Sequence, residues 1–158
     1  MTATVLALLA LSVFPASAQS QNFEIHNPAN FRCLSVREDS LVVSPCFPNG
    51  EATFRWYWQA HRGNQYLVNL KHSAYCVNLV RIRPGHRFLQ LRICDYSENA
   101  PGIGDQWEQA GNRIKFRHPT QPTDLCFTRY PGDGVSAVVN VDTCSAGNVD
   151  QEWQFVPR

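Results

Sequence analysis

Short alternations of apolar and polar residues recur along the chain, separated by stretches rich in proline and glycine. Three cysteines are each preceded by two apolar residues at a spacing of two, and these pairs are Leu41 and Val43, Leu89 and Leu91, and Val139 and Val141. This spacing puts both side chains on the same face of a β-strand. The pattern predicts strands with one buried face, and the ten prolines and nine glycines argue against long helices.

The alternation belongs to a longer pattern that occurs three times, with a period of about 45 residues. Each copy contains two cysteines followed by a tryptophan: Cys33, Cys46 and Trp56; Cys76, Cys94 and Trp107; Cys126, Cys144 and Trp153. A repeat of this length cannot enclose a core alone, so three copies are expected to share one. The copies, called here the first, second and third units, span about residues 22–64, 65–111 and 112–158 of one domain, residues 22–158.

Each unit also carries an earlier strand pattern and one at its tryptophan, which makes about four strands per unit and about twelve in all. The earlier patterns begin at Phe23, Tyr66 and Ile114. The sequence therefore predicts an all-β protein, a β-trefoil of three four-strand repeats, in which the first and last strands meet and leave no open edge. A three-bladed propeller and a generic β-sandwich are the alternatives, but a sandwich does not explain the triplication.

The N-terminus has the pattern of a secretory signal peptide. Residues 1–18 contain no charge, include the apolar run Val5–Phe14 and end in Ala16-Ser17-Ala18. A short apolar run before a small-x-small site is typical of a cleaved leader, and it is too short to cross a bilayer. The mature protein is expected to be secreted and extracellular, without membrane insertion.

Six cysteines in an exported chain of this size predict three disulfides. The repeat selects one pairing, because equivalent units should each contain their own bond. The predicted disulfides are Cys33–Cys46, Cys76–Cys94 and Cys126–Cys144.

Composition excludes several classes of function. The net charge of +1 does not favour nucleic acid as a partner. The sequence has no metal-binding motif, glycine-rich phosphate loop or free cysteine nucleophile, and its histidines and carboxylates are scattered. We therefore expect no metal, no cofactor and no enzymatic activity. The three repeat tryptophans are expected in the core, because they recur with the period of the fold.

The tryptophan segments carry a resemblance to a known family. Phe54-Arg55-Trp56, Asp105-Gln106-Trp107 and Gln151-Glu152-Trp153 are similar to the Q-x-W signature of ricin-type β-trefoil lectins, and the third matches it literally. The segments Phe23–Asn27 and Arg32–Leu34, followed by Phe54-Arg55-Trp56, resemble one branch, the cysteine-rich domain of the mannose receptor and phospholipase A2 receptor group. The resemblance covers residues 22–157 and implies a non-catalytic module whose partners are glycans or glycoproteins.

The resemblance also implies where sugar would bind. In ricin-type lectins an Asp follows the first cysteine by two residues, an aromatic precedes the second by two, and an Asn or Asp precedes Q-x-W. Here those positions hold Ser35, Asn78 and Thr128; Ser44, Arg92 and Asp142; and Thr53, Gly104 and Asp150. The candidate carbohydrate-binding residues are Thr128, Tyr130, Asn140, Asp142, Asp150 and Gln151 in the third unit and Asn78, Gln90 and Arg92 in the second, while the first unit lacks the pattern.

Two features bear on charged ligands. In the mannose-receptor branch the third unit binds sulfated N-acetylgalactosamine through an aromatic residue, and Asp150 occupies that position here, where its carboxylate would repel sulfate. In the second unit Arg81, Arg83 and Arg87 lie in a basic stretch without an acidic residue. Guanidinium groups suit sulfate or carboxylate, so these arginines are a candidate anion patch, and a solvated loop is the alternative.

The sequence thus predicts a secreted, non-catalytic carbohydrate-binding protein of the ricin B type, with acidic or sulfated glycans as candidate ligands. One alternative is a β-trefoil that has lost sugar binding and binds a receptor or protease. Another is a fragment of a mannose-receptor-like protein, although an end directly after the third unit favours a complete short protein. The oligomeric state is not predicted.

Overall fold

The structure is a computed structural model, and it describes residues 21–47, 51–83, 86–96, 103–118, 122–132 and 136–158. At residues 81–83, 86 and 103 only the backbone is described. The predicted signal peptide lies outside the described residues. Within them, no helix has the length and apolar character needed to cross a membrane.

The described residues form twelve β-strands and four short 3₁₀ helices. The strands are β1 Phe23–Asn27, β2 Arg32–Arg37, β3 Ser40–Pro45, β4 Arg55–His61, β5 Asn64–Asn69, β6 Tyr75–Arg83, β7 His86–Ile93, β8 Trp107–Ala110, β9 Arg113–Phe116, β10 Leu125–Tyr130, β11 Ala137–Thr143 and β12 Gln154–Pro157. The 3₁₀ helices are Ala52–Phe54, Leu70–His72, Ile103–Asp105 and Val149–Gln151. The predicted all-β class is confirmed.

All twelve strands belong to one continuous, barrel-like sheet. Its order is β12-β1-β4-β5-β6-β7-β3-β11-β10-β9-β8, and β2 pairs with β1 and β3. As predicted, the first and last strands meet, since β1 pairs with β12 in antiparallel register from Phe23 opposite Pro157 to His26 opposite Gln154. This pairing covers strand edges that would otherwise be open to other chains.

The hydrophobic core is formed by alternate residues of the strands. All six residues of the predicted apolar pairs are buried in it. Trp56, Trp107 and Trp153 are also buried, as predicted, and their indole N–H groups donate to the carbonyls of Leu34 at 3.1 Å, Val77 at 2.8 Å and Phe127 at 3.2 Å. Each acceptor is the residue directly after the first cysteine of its unit, so one hydrogen bond recurs three times at equivalent sequence positions.

The three predicted disulfides are present, at Cys33–Cys46, Cys76–Cys94 and Cys126–Cys144. Each bond joins the outer ends of a two-stranded hairpin, namely β2–β3, β6–β7 and β10–β11. Each closes a loop of 13 or 18 residues. In the chain-entropy description such a bond stabilises a protein by about 3 kcal/mol.

Candidate functional site

The β10–β11 hairpin of the third unit places polar side chains on one face. Its register sets Thr128 opposite Asn140 and Cys126 opposite Asp142. Successive strand residues point to opposite faces, and the other face carries the buried residues Phe127 and Val139. The hairpin is therefore anchored through one face to the core and presents the polar candidates on the other.

Gln151 packs against this face at Thr128 and is fully buried, with 0% exposure. Its side-chain amide donates to Thr128 Oγ1 at 3.0 Å and to the Thr143 carbonyl at 2.9 Å. Its Oε1 accepts from the Ser145 N–H at 2.7 Å. Gln151 and the buried Thr128 therefore hold the hairpin to the Val149–Gln151 helix, and they support the surface from within rather than meeting a ligand directly.

Tyr130 and Asp142 form the exposed part of the same face. Tyr130 is 39% exposed, and its hydroxyl donates to Asp142 Oδ2 at 3.1 Å. Burial, and then the negative charge of Asp142, raise the pKa of the Tyr130 hydroxyl. The tyrosine therefore stays protonated at neutral pH, and the hydrogen bond fixes its ring beside a carboxylate that is open to solvent.

Asn140 connects the third unit to the second. Its side-chain amide donates to the Arg87 carbonyl on β7 at 2.9 Å, while its Oδ1 accepts from the Val141 N–H at 2.9 Å. Arg87 is exposed. The contact places the backbone of a cationic residue at the border of the third-unit polar face.

Asp150 is paired with Arg129, which was not among the predicted site residues. The Arg129 Nε lies 2.8 Å from Asp150 Oδ1, and a terminal guanidinium nitrogen contacts the same oxygen. Both side chains are partly buried. The pair is locally neutral, so the Asp150 carboxylate is a weaker source of repulsion for an anionic ligand than its position in the sequence suggests.

The second-unit candidates cluster around Gln90. Asn78 stands opposite Gln90 in the β6–β7 register. The Gln90 amide donates to the Asp39 carboxylate of the first unit, and the Arg92 Nε donates to Gln90 Oε1 at 3.2 Å. These internal contacts occupy the amide of Gln90 and leave Arg92 as the exposed cationic group of the cluster.

Gly104 stands where the ricin-type pattern has Asn or Asp, and steric contact explains the glycine. A Cβ at this position would lie 2.3 Å from the Leu79 carbonyl oxygen and 2.8 Å from Asn78 Oδ1. The segment packs too closely on β6 to accept any side chain. The second unit therefore lacks one polar side chain of the expected sugar site, because β6 leaves no space for it.

In the first unit the equivalent positions are closed by an internal contact. The hydroxyl groups of Ser35 and Ser44 lie 2.8 Å apart, and Ser35 is buried. These two hydroxyl groups therefore contact each other, and Ser35 is buried away from solvent.

Only part of the predicted anion patch falls within the described side chains. The register sets Arg81 directly opposite Arg87 across β6 and β7. The side chains of Arg81 and Arg83 lie outside the described residues. Arg87 is exposed and belongs to the border described above.

His26, Cys33 and Cys46 offer donor atoms within 4.8 Å of one another. Both sulfur atoms are bonded to each other in the first disulfide, and metal binding requires thiolates. This group therefore does not form a metal site.

Sequence reasoning missed three residues that shape these surfaces, Arg129, Asp39 and Asp105. Arg129 was hidden because it alternates with the candidates Thr128 and Tyr130 along β10 and points away from them. Asp39 lies in a turn of one unit and acts on another, so only the fold brings it to Gln90. Asp105 could have been found, because it holds the Q-x-W position that Gln151 occupies in the third unit.

Comparison with known proteins gives similarity in structure but not in sequence. No protein-family model and no curated protein matches the chain. A ricin B-like lectin of Macrolepiota procera in complex with lactose is 13% identical with a TM-score of 0.65, covering 90% of this chain and 99% of the lectin. The C-half of an earthworm R-type lectin in complex with GalNAc is 12% identical with a TM-score of 0.62, covering 87% and 99%.

An endo-β-galactosidase of Clostridium perfringens that releases GlcNAcα1-4Gal is 15% identical with a TM-score of 0.65. The match covers 87% of this chain and 32% of the galactosidase, so the chain spans about a third of that protein's length. At these identities the comparisons establish the fold alone. The chain has the fold of ricin B-like and R-type lectins.

Proposed function

We propose that this chain is a secreted, non-catalytic carbohydrate-binding protein, built as a β-trefoil of three four-strand units at about residues 22–64, 65–111 and 112–158. The tryptophan-to-carbonyl hydrogen bond supports the threefold repeat, because it recurs at equivalent positions in each unit. The likeness to ricin B-like and R-type lectins, two of them in complex with sugars, supports the function. The proposal includes a nearer relation to the mannose-receptor branch, based on Phe23–Asn27 and Arg32–Leu34.

The observation that carries the proposal is the pairing of Tyr130 with Asp142 on the exposed face of the third unit. A sugar has an apolar face and a rim of hydroxyl groups, so a binding site needs a ring beside hydrogen-bonding groups. Tyr130 supplies a partly exposed ring, and Asp142 supplies a carboxylate that can accept hydrogen bonds from sugar hydroxyls. The carboxylate Oδ2 lies 3.1 Å from the Tyr130 hydroxyl oxygen.

The other third-unit residues have supporting roles in the proposed site. Asn140 borders the site, and Asp150 pairs with Arg129, which points to the other face of β10. Thr128 and Gln151 join the hairpin to the Val149–Gln151 helix through a buried hydrogen bond. In the second unit Arg92, with Gln90 and Asn78, forms a weaker secondary site, because Gln90 is already engaged by Asp39.

Acidic glycans are the proposed ligand class. Arg87 borders the third-unit face through its backbone contact with Asn140, and Arg129 balances the charge of Asp150. Together with Arg81 and Arg83, Arg87 would supply guanidinium groups for a carboxylate or sulfate. A mutant of a structurally similar earthworm lectin C-terminal domain was solved in complex with 6′-sialyllactose. Binding at one shallow site is expected near a Kd of ~1 mM, about −4 kcal/mol, so clustered glycans or glycoproteins are the expected partners.

A glycan array tests the proposal. The mature chain, residues 19–158, is applied to neutral, sialylated and sulfated glycans at high density. We expect binding to acidic glycans that is lost in Tyr130→Ala and weakened in Arg87→Ala. Arg92→Ala measures how much the second-unit site contributes to binding, and Asp150→Ala measures how much the ion pair contributes. Absence of binding to any glycan at the highest density would contradict the proposal.

A protein-binding function is the second candidate, and one exposed pair of aromatic residues favours it. Phe31 is 85% exposed and Phe47 is 53% exposed, close to the two ends of the first disulfide. Exposed large apolar side chains of this kind are common at protein interfaces. Competition separates the two functions: free sugar displaces a lectin's partner and leaves a protein–protein contact intact.

A further inference from the structure

A cavity of 310 Å³ lies at a part of the barrel that the proposed sugar site does not use. It is lined by Gln21, Phe23, Trp58, Gln109, Phe155 and Pro157. These residues belong to β1, β4, β8 and β12 or precede β1, whereas the third-unit candidates lie on β10, β11 and the Val149–Gln151 helix. The cavity and the proposed sugar site therefore share no residue.

Three of the lining residues occupy the same place in the three units. Trp58, Gln109 and Phe155 each follow a repeat tryptophan by two residues. Their convergence on one cavity means that each unit contributes one side chain to it. Two of these side chains are aromatic and the third is an amide.

The aromatic side of the cavity is tightly packed. The ring centroids of Phe23 and Phe155 lie 5.3 Å apart, and Trp58 lies 6.3 Å from Phe23 and 6.4 Å from Phe155. Gln109 is exposed, and its amide donates to the nearby Gly111 carbonyl at 3.3 Å. An aromatic residue at 109 would add a ring from the second unit to the rings of the first and third, so the glutamine leaves the space open.

The lining has no ionisable side chain, and its accessible polar groups are the amides of Gln21 and Gln109. Trp56, Trp107 and Trp153 donate their indole N–H groups to backbone carbonyls, whereas the Trp58 Nε1 is buried and has no hydrogen-bond partner among the described residues. A purely apolar ligand would leave these polar groups without hydrogen bonds, which is unfavourable. A charged ligand would find no counter-charge.

We infer that this cavity is a further binding site, separate from those proposed in the second and third units, and that its ligand is an uncharged sugar ring. The Trp58 and Phe155 rings provide an apolar surface for one face of the sugar, and the Gln21 and Gln109 amides meet its hydroxyl groups. The volume of 310 Å³ is at the lower end for small-ligand sites and limits the ligand to about one or two rings. With the third-unit site, it would give one chain two separate glycan contacts, a source of avidity.

The indole N–H resonances of ¹⁵N-labelled protein test this inference. The mature chain is titrated with methyl glycosides of glucose, galactose, mannose and N-acetylgalactosamine up to about 100 mM, which covers weak single-site affinities. We expect saturable movement of the Trp58 indole resonance with at least one neutral glycoside, and little movement of the other three indoles. No movement with any glycoside, or movement with phenol and indole alone, would overturn the inference.

Substitution of Gln109 provides the structural control. Gln109→Phe is expected to fill the cavity and weaken binding at least tenfold. Gln154→Phe, at an exposed residue of β12, is the matched control and should leave binding unchanged. Gln109→Leu serves the same purpose if the phenylalanine variant does not fold. Unchanged binding in folded Gln109→Phe or Gln109→Leu protein would contradict the assignment. A Tyr130→Ala and Asp142→Ala double variant should retain the Trp58 response, which separates this site from the proposed one.

Discussion

The second and third units both bury a polar side chain two residues before the repeat tryptophan, but the two side chains differ in their hydrogen bonding. In the third unit Gln151 is fully buried, donates two hydrogen bonds and accepts one. In the second unit Asp105 is 2% exposed, and its Oδ2 has no partner among the described residues. An amide can donate and accept, whereas a carboxylate can only accept.

The electrostatics of Asp105 follow from this difference. Burial raises the pKa of its carboxyl to about 6, although hydrogen bonds from the backbone N–H groups of Asp105 and Asp95 act to lower it. Asp95 directly follows the second cysteine of its unit, as does Ser145, whose N–H donates to Gln151. Asp105 therefore keeps the hydrogen bond that Gln151 accepts. The hydrogen bonds that Gln151 donates have no counterpart at Asp105, because a carboxylate cannot donate. Equivalent positions can therefore stabilise one unit at any pH and make the stability of another depend on pH.

Exchanging the two chemistries should give the largest effect. Gln151→Glu removes both donated hydrogen bonds and places a carboxylate against the Thr143 carbonyl, so we expect a loss of about 3 kcal/mol in the free energy of unfolding at pH 7. Urea unfolding measures it, and the loss should shrink at acidic pH as the new carboxyl is protonated. Gln154→Glu on exposed β12 is the control and should change stability by about 0.5 kcal/mol or less. Equal losses of stability in Gln151→Glu and Gln154→Glu would show that the buried hydrogen bonds of Gln151 do not stabilise the fold as described.

The reverse change in the second unit should be stabilising. Because the pKa of Asp105 lies above its ordinary 3.8 in the folded state, folding retains a proton. The contribution of Asp105 to stability is therefore greatest below about pH 4, and it is lost as the pH rises through about 6. Asp105→Asn removes this dependence, and we expect a gain of roughly 2 kcal/mol at pH 7.

Urea unfolding between pH 4 and pH 8 measures the effect of Asp105→Asn. Glu108→Gln, an exposed carboxyl on the adjacent strand β8, is the matched control and should keep the pH slope of the parent protein. If Asp105→Asn keeps that slope as well, the buried carboxyl is not its source.

A smaller effect is expected from the ion pair between Arg129 and Asp150 in the third unit. Arg129→Ala leaves the partly buried Asp150 carboxylate without its partner, and we expect a loss of about 1 kcal/mol in stability. Thermal unfolding measures the loss, and added salt should reduce the difference from the parent protein. Arg113→Ala is a suitable comparison, because Arg113 donates to the Ser145 carbonyl rather than to a carboxylate and its effect should not depend on salt.

The smallest effect is expected in the second unit. Arg92→Ala removes an exposed side chain that donates to Gln90, so we expect a change of about twofold or less in glycan binding and no measurable change in stability. Binding to a surface coated with acidic glycan measures it. A loss of binding as large as that caused by Tyr130→Ala would move the principal site to the second unit.

The sequence predicted the all-β class, the three disulfides and the buried tryptophans correctly, because the pattern behind each of them was repeated. The apolar pairs, the cysteines and the tryptophans occur three times, and a buried face at a spacing of two is a local property of the chain. The candidate site was harder to predict. The sequence brought Tyr130 and Asp142 together, but burial of Gln151 and Thr128, the approach of Asp39 to Gln90 and the pairing of Arg129 with Asp150 depend on contacts between distant segments.

The most direct test of the account is chemical-shift mapping of the ¹⁵N-labelled mature chain with an acidic glycan, such as a sialyllactose. The account predicts saturable shifts centred on the backbone N–H groups of Tyr130, Asn140 and Asp142, weaker shifts near Arg92, and loss of the main set in Tyr130→Ala. Shifts confined to the first unit, or no shift at about 20 mM glycan, well above the expected Kd, would contradict it.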